Sequence, residues 1–205
     1  MNPSSSSRTP SPALSAGLAL LLFVIALLGF GAALGGFSHA LHPVALLGAR
    51  GIPRWWLFDV LGFVLPGLLM AWAMWRTGLA WERRHEDSGA IARIGWTLCT
   101  MSALAFALQG VLPVDPAKGL SFGIGRLHTA AWTVWWIAYV SGAVALALGA
   151  PARMRARGAL SLVVAAVVVA LSMSALIPAA PAMGQRIAFV AWFAWAWWMA
   201  RGASR

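Results

Sequence analysis

The sequence predicts an all-α fold: a polytopic membrane helical bundle of six transmembrane helices with both termini cytoplasmic. Three observations carry this expectation. Of the 205 residues, 61% are hydrophobic and only 10% charged, which is more apolar surface than a soluble chain of this size can cover. Apolar runs recur at 13–37, 57–75, 94–114, 128–150, 159–177 and 186–200. Each is near the ~17–25 residues a helix needs to cross a hydrocarbon core of roughly 30 Å. The basic residues are sorted by loop: ten (Arg8, Arg76, Arg83, Arg84, Arg93, Arg153, Arg155, Arg157, Arg201, Arg205) fall on one side and five (Arg50, Arg54, Lys118, Arg126, Arg186) on the other. By the positive-inside rule the first side is cytoplasmic, giving N-in and C-in. The net charge of +10 is therefore a topology signal and does not point to nucleic acid. The expected organisation is a disordered, Ser/Pro-rich cytoplasmic tail over 1–12, a six-helix transmembrane domain over 13–200 and a cytoplasmic tail over 201–205. The expected location is a bacterial inner membrane, with the bilayer itself as the first partner.

The first run, about 25 residues long, exceeds the ~7–15 of a signal h-region, so it is expected to stay as a helix although Ser38-His39-Ala40 has the small-x-small form of a cleavage site. Gly31-x-x-x-Gly35 inside it offers a close-packing face for the bundle or for a homo- or hetero-oligomer. In the second run, Pro66 is expected to kink the helix and Asp59 is an acid in an apolar setting. Prolines mark the connections: Pro43 and Pro53, Pro113 and Pro116, Pro151, Pro178 and Pro181. Residues 110–116 (GVLPVDP) and 175–181 (ALIPAAP) end the third and fifth runs alike, each followed by Gly, Arg and a Trp-rich helix. This predicts duplicated helical hairpins in which Asp115 corresponds to Ala180 and His128 has no counterpart. The tryptophans at 55, 56, 75 and 81, with the clusters at 132, 135, 136 and 192, 195, 197, 198, predict interfacial anchoring and aromatic packing. The single cysteine, Cys99, excludes an intramolecular disulfide and the Cys-rich zinc arrangements.

Chemistry is expected at the outer end, where His39, His42, Asp59, Asp115 and His128 come from three successive hairpin ends. Asp59 needs a polar cavity or a partner, for which Arg54, His42 and His128 are the candidates, unless it lies shallow and anchors its helix. His39-x-x-His42, with His128 and Asp115 as further ligands, could hold zinc or a similar ion. A haem between His42 and His128, acid/base use of the histidines, and plain interfacial histidines bonded to backbone are the other readings. The cofactor is left open.

Three segments, Gly51-Ile-Pro53-Arg-Trp-Trp-Leu-Phe58-Asp59-Val-Leu-Gly62, Leu112-Pro113-Val-Asp115 and Leu127-His128, resemble the six-span bacterial membrane family catalogued as domain of unknown function 998. That family resembles this chain from the first span to the sixth, with Gly-x-Pro before a Phe-Asn opening of span two, Pro-x-Asp after span three and His opening span four. Asp59 stands where the family pattern has Asn. The resemblance implies the six-span fold and a site at Asp115 and His128, but no reaction. A fragmentary second resemblance, Ser38-x-x-x-His42, is to membrane hydrolases of the alkaline-ceramidase type, whose zinc site uses three histidines with Asp and Ser. Their late His-x-x-x-His is absent here.

The leading expectation is an outward-facing site of Asp115, His128, Asp59 and His42 that handles a lipid or small amphiphile. Hydrolysis or group transfer, with His128 as acid/base and Asp115 as its orienter, is the reaction class that suits these residues. The alternative is a non-catalytic membrane subunit or stabiliser, and a metal- or haem-binding protein or a transporter comes third.

Overall fold

The computed structural model describes residues 10–84, 89–120, 122–172 and 180–203, and the described residues are helical with no strand. Six long helices follow one another: α1 (Pro12–Ala33), α2 (Trp55–Arg84), α3 (Ala90–Val111), α4 (Gly123–Leu148), α5 (Arg155–Ser172) and α6 (Pro181–Ala203). The first five are long and apolar enough to cross a membrane. The 23-residue α6 falls outside that set, since Gln185, Arg186 and its tryptophans lower its mean hydropathy.

The helix limits have local causes. Ser11 Oγ accepts the Leu14 N–H at 3.2 Å and Pro12 occupies the first turn, so α1 begins inside the stretch expected to be tail. Residues 1–9 and 204–205 of the expected tails lie outside the described residues, as do 175–179 of the second hairpin copy. Helix α2 continues past the expected limit at 75 to Arg84, because Arg76, Glu82, Arg83 and Arg84 are good helix formers that leave the membrane without breaking the helix. Helix α4 starts at Gly123 instead of 128, which puts His128 in its second turn.

Within α2, Asp59–Val64 forms a wide π-helical turn in which the Leu65 N–H reaches back to Val60 O. It directly precedes Pro66, which has no N–H to give to the Gly62 carbonyl. The expected Pro defect is thus absorbed as an extra residue in one turn.

Each helix packs on its sequence neighbour, and α6 returns against α1 and α2 to close the ring. Lipid supplies no hydrophobic force between helices, so close backbone approach has to do the work. At Gly67 of α2 an added Cβ would lie 2.6 Å from the Ala107 backbone N; at Gly142 of α4 it would lie 2.9 Å from Cys99 Sγ and 3.0 Å from Gly95 O. Gly31 is used in the same way within the chain. A Cβ there would meet the His39 ring at 2.7 Å, whereas at Gly35 it would meet open space.

The interior is aromatic. Phe106 of α3 packs against Phe23 of α1, Phe63 of α2 and Phe189, Trp192 and Phe193 of α6, with ring centroids 5.0 to 5.9 Å apart. Phe189 also meets Trp135 of α4 at 4.8 Å. Trp135, Trp192 and Trp195 are core residues, and only part of the tryptophan set (Trp56, Trp75, Trp197, Trp198) is exposed as a membrane anchor should be. Phe189→Ala is expected to cost about 3–5 kcal/mol, against within about 0.5 kcal/mol for the exposed Leu162→Ala. Thermal melts of the two purified variants check this, and equal losses would contradict the central role of Phe189.

Candidate functional site

Two ends of the bundle differ in chemistry. At the arginine end, the Arg157 guanidinium lies over Trp198 at 5.7 Å and against Gly202, and Arg201 lies over Trp197 at 4.9 Å. At the other, the histidine end, the α1–α2 connection folds back over the start of α6.

Arg186 organises that connection. The residue is 5% exposed. Its Nε donates to His39 Nδ1 at 3.3 Å, Nη1 to Ala182 O at 2.7 Å and Nη2 to His42 O at 2.9 Å, and its guanidinium lies over Phe37 at 5.7 Å. Two more bonds close the seam: Ala182 N–H donates to Ala40 O at 3.0 Å and Val44 N–H to Gln185 Oε1 at 3.0 Å. His42 Nδ1 accepts the Ser38 N–H at 3.0 Å, so both histidines of His39-x-x-His42 are engaged locally. Sequence reasoning counted Arg186 only as an outer-side basic residue. Its place beside Gln185 at the mouth of an apolar run was the signal that could have found it.

His128, 7% exposed, has Nδ1 3.1 Å from Gln109 O and 2.9 Å from Leu112 O. These carbonyls lie at the end of α3, where Gln109 O also receives the Leu112 N–H at 3.3 Å, so the imidazole caps that helix end from α4. Both neighbours are acceptors, which fixes the proton on Nδ1 and leaves the lone pair of a neutral ring on Nε2.

Asp115 is held elsewhere. Its Oδ1 accepts the Ala117 N–H at 3.1 Å, and its Oδ2 lies 3.8 Å from Lys118 Nζ. The orienting role expected of Asp115 on His128 is filled by two backbone carbonyls, because Asp115 closes its own turn. Asp59, 4% exposed, is joined to none of Arg54, His42 and His128 by an ion pair, and its Oδ2 has no partner among the described residues. Its carboxylate presses on Gly48, where any Cβ would collide with it. Asp59 therefore lies directly against the 3-10 turn Val44–Gly48, in space that a side chain at position 48 would fill. Among the described residues no three His, Cys, Asp or Glu side chains come together to hold a metal, so His39, His42, His128 and Asp115 do not form the ligand set considered from spacing.

What the histidine end does contain is a cavity of about 510 Å³. Leu41, Ala45 and Leu46 wall it from the α1–α2 connection, His128 and Trp132 from α4, Leu171 from α5 and Gln185 from α6. Gln109 of α3 also lines it. Of the four expected site residues only His128 does so. The size is within the roughly 300–1,000 Å³ usual for small-molecule sites. Fold and site together define a helical membrane bundle with an apolar end cavity. Comparisons of the chain with protein-family models, curated proteins and solved structures found no match.

The Arg186–His39 contact carries a pH dependence. Burial, and then the Arg186 charge, hold the His39 pKa below its ordinary 6.5. A base of this kind binds more protons unfolded than folded as the pH falls, so its contribution to stability is whole above about 6.5 and is lost on acidification below it. The melting temperature is expected to fall between pH 6.5 and 5 in the wild type and to fall less in His39→Gln. Identical slopes in the two proteins would show that His39 does not carry the effect.

Proposed function

We propose that this chain is a six-span bacterial inner-membrane protein, N-in and C-in, whose cavity takes up a lipid or small amphiphile at the outer leaflet. The cavity at the histidine end is the observation that carries the reading. It is walled mainly by apolar side chains, it is polar at few points, and it lies at the end that the basic-residue asymmetry turns outward. The sixth span is supported by the reach of α6. Near its start Ala182 bonds to Ala40 at the histidine end; further along Trp195 Nε1 donates to Ser161 Oγ at 3.0 Å, and Gly202 meets Arg157 at the arginine end. Two of the three segments that resemble domain of unknown function 998, 112–115 and 127–128, fall on the α3–α4 connection and the start of α4 beside the cavity, while the third, 51–62, leads into α2 away from it, and we read them as the marks of a shared fold.

Between catalysis and binding, one observation favours a non-catalytic role. Thr129 and Ser172 bring hydroxyls to the cavity beside His128, but neither Asp59 nor Asp115, the carboxylates expected to work with His128 in hydrolysis or group transfer, is among its described lining residues.

Two measurements test this reading. A cysteine replacing Lys118 is expected to react with an impermeant maleimide added outside intact cells and one replacing Arg155 is not, the native Cys99 being buried. The reverse pattern overturns the orientation. Photoactivatable amphiphiles with an alkyl diazirine are expected to label peptides containing residues 41–49 and 109–132, and Ala45→Trp, which fills the cavity, to abolish that labelling. Labelling unaffected by Ala45→Trp would place the lipid contacts on the outer surface instead.

A further inference from the structure

Helix α1 turns much of its surface to lipid, as the exposure of Leu14, Leu18, Leu21, Ile25 and Leu28 shows. One part of that surface is concave. A groove of about 480 Å³ runs between α1 and the start of α2, lined by Leu22, Gly29 and Ala33 of α1, Arg54 of the connection and Leu61 of α2. A Cβ added at Gly29 would meet nothing within 4 Å, in contrast to the packed Gly31. An apolar hollow that faces a bilayer is filled by hydrocarbon, since empty space forfeits dispersion contacts and a water there finds no polar partners. The occupant is therefore chain-like, and the dimensions fit one. Leu22 and Ala33 are 11 residues apart, about 16 Å along the helix at ~1.5 Å per residue. That is close to half of the roughly 30 Å hydrocarbon core, the depth of one leaflet.

Charge identifies the head group. Phe30 of α1 meets Phe58 of α2 with ring centroids 5.5 Å apart, so Arg54, one turn earlier on the antiparallel α2, stands at the Leu34 end of the groove. The exposed Trp56 beside it marks the same level as a membrane interface. Arg54 is exposed and has no ion pair among the described residues. The acids of this end do not compete for it: Asp59 is buried, and Asp115 is held by the Ala117 N–H and Lys118. A guanidinium pairs with two oxygens of a phosphate at once. The ammonium of a zwitterionic head group would lie near the same cation with no free carboxylate to receive it, so a head group of net negative charge fits best. Arg54 also holds its backbone at φ 60°, ψ 24°, the left-handed region that favours glycine. A side chain kept at a position that strains its own backbone is one whose contacts are worth seeking.

We propose that this groove holds one anionic phospholipid of the leaflet at the histidine end, with an acyl chain along Leu22, Gly29 and Ala33 and its phosphate on Arg54. The groove shares no lining residue with the end cavity, and the inference does not depend on the cavity reading.

The test is native mass spectrometry of the full chain in detergent, titrated with palmitoyl-oleoyl phosphatidylglycerol or the matching phosphatidylcholine. The glycerol lipid is expected to bind one site about fivefold more tightly than the choline lipid, the factor that one interfacial basic residue contributes. Arg54→Gln is expected to abolish that preference and leave the affinity for the choline lipid as it was. Gly29→Trp, whose side chain enters the groove, is expected to weaken both lipids at that site, and Arg54→Gln added to it to have no further effect. Arg54→Gly, which relieves the left-handed backbone, is expected to melt at the same temperature or higher without lipid and yet to lose the preference. A preference that survives Arg54→Gln and Arg54→Gly overturns the head-group assignment. One that Arg54→Gln removes but Gly29→Trp leaves intact takes the acyl chain out of the groove, and the proposal falls. Loss of the bound lipid in Ala45→Trp, which fills the end cavity, assigns the lipid to that cavity and overturns the groove. Dissociation of a dimer by Gly29→Trp with no effect on lipid makes the groove a contact between copies and overturns it likewise.

Discussion

Backbone groups at a membrane boundary must find partners without relying on water, and this requirement arranges the whole histidine end. The last turn of α3 leaves carbonyls with no helical donor, and the α1–α2 connection is irregular chain packed against helices. Nearly every polar side chain there answers one of these needs. His128 serves the carbonyls of Gln109 and Leu112, Arg186 those of Ala182 and His42, and Gln185 the Val44 N–H. The residue types that looked like a catalytic or metal-binding layer are the same types that can bond a backbone, and at this depth the backbone has first claim on them.

The interior follows a second logic. A bundle in lipid gains little by burying an apolar side chain that lipid would also surround, so its cohesion has to come from close fit. Small residues bring the helices together at Gly67 and Gly142, and the space left inside the ring is filled by rings from α1, α2, α3, α4 and α6 meeting around Phe106 and Phe189. Polar contacts between helices are few and local, such as Ser102 Oγ to Trp135 O at 2.8 Å and Trp195 Nε1 to Ser161 Oγ at 3.0 Å. Helix α6 falls outside the set apolar enough to span and yet supplies more rings to the aromatic centre than any other helix. Its apolar character is concentrated in tryptophan and phenylalanine facing inward, a feature that a mean over the segment averages away.

This explains what the sequence shows and what it hides. The helical class and the positions of α1 to α5 were legible, because run length and loop charge are one-dimensional properties. The limits of α2 and α4 were missed by several residues, since charged helix formers end a hydrophobic run without ending a helix. The tryptophans were half legible: exposure of Trp56 and Trp75 fits an anchoring role, while burial of Trp135, Trp192 and Trp195 depends on which face of a helix meets which neighbour. Of the site, the end of the bundle and His128 were legible. Asp115 was not, because an acid in a Pro-rich turn bonds its own backbone as readily as it reaches across to another helix. Arg186 was legible only as a basic residue at the mouth of an apolar run, because nothing in a spacing shows which carbonyls a guanidinium will bridge.

Among the described residues, three buried polar groups at this end keep an unsatisfied atom, Asp59 Oδ2, Gln109 Nε2 and Ser172 Oγ, and the first two differ in what surrounds them. Asp59 is sealed under the Val44–Gly48 turn, and the absence of a Cβ at Gly48 is what lets its carboxylate fit, so its position is explained by the joint it makes between the turn and α2. Gln109 makes no such joint through its amide. The residue is buried beside the cavity, next to an imidazole whose Nδ1 hydrogen is held by the end of α3. Neither carboxylate is among the described residues that line the cavity, and its walls are mainly apolar, a lining that suits an apolar guest better than an ionised one.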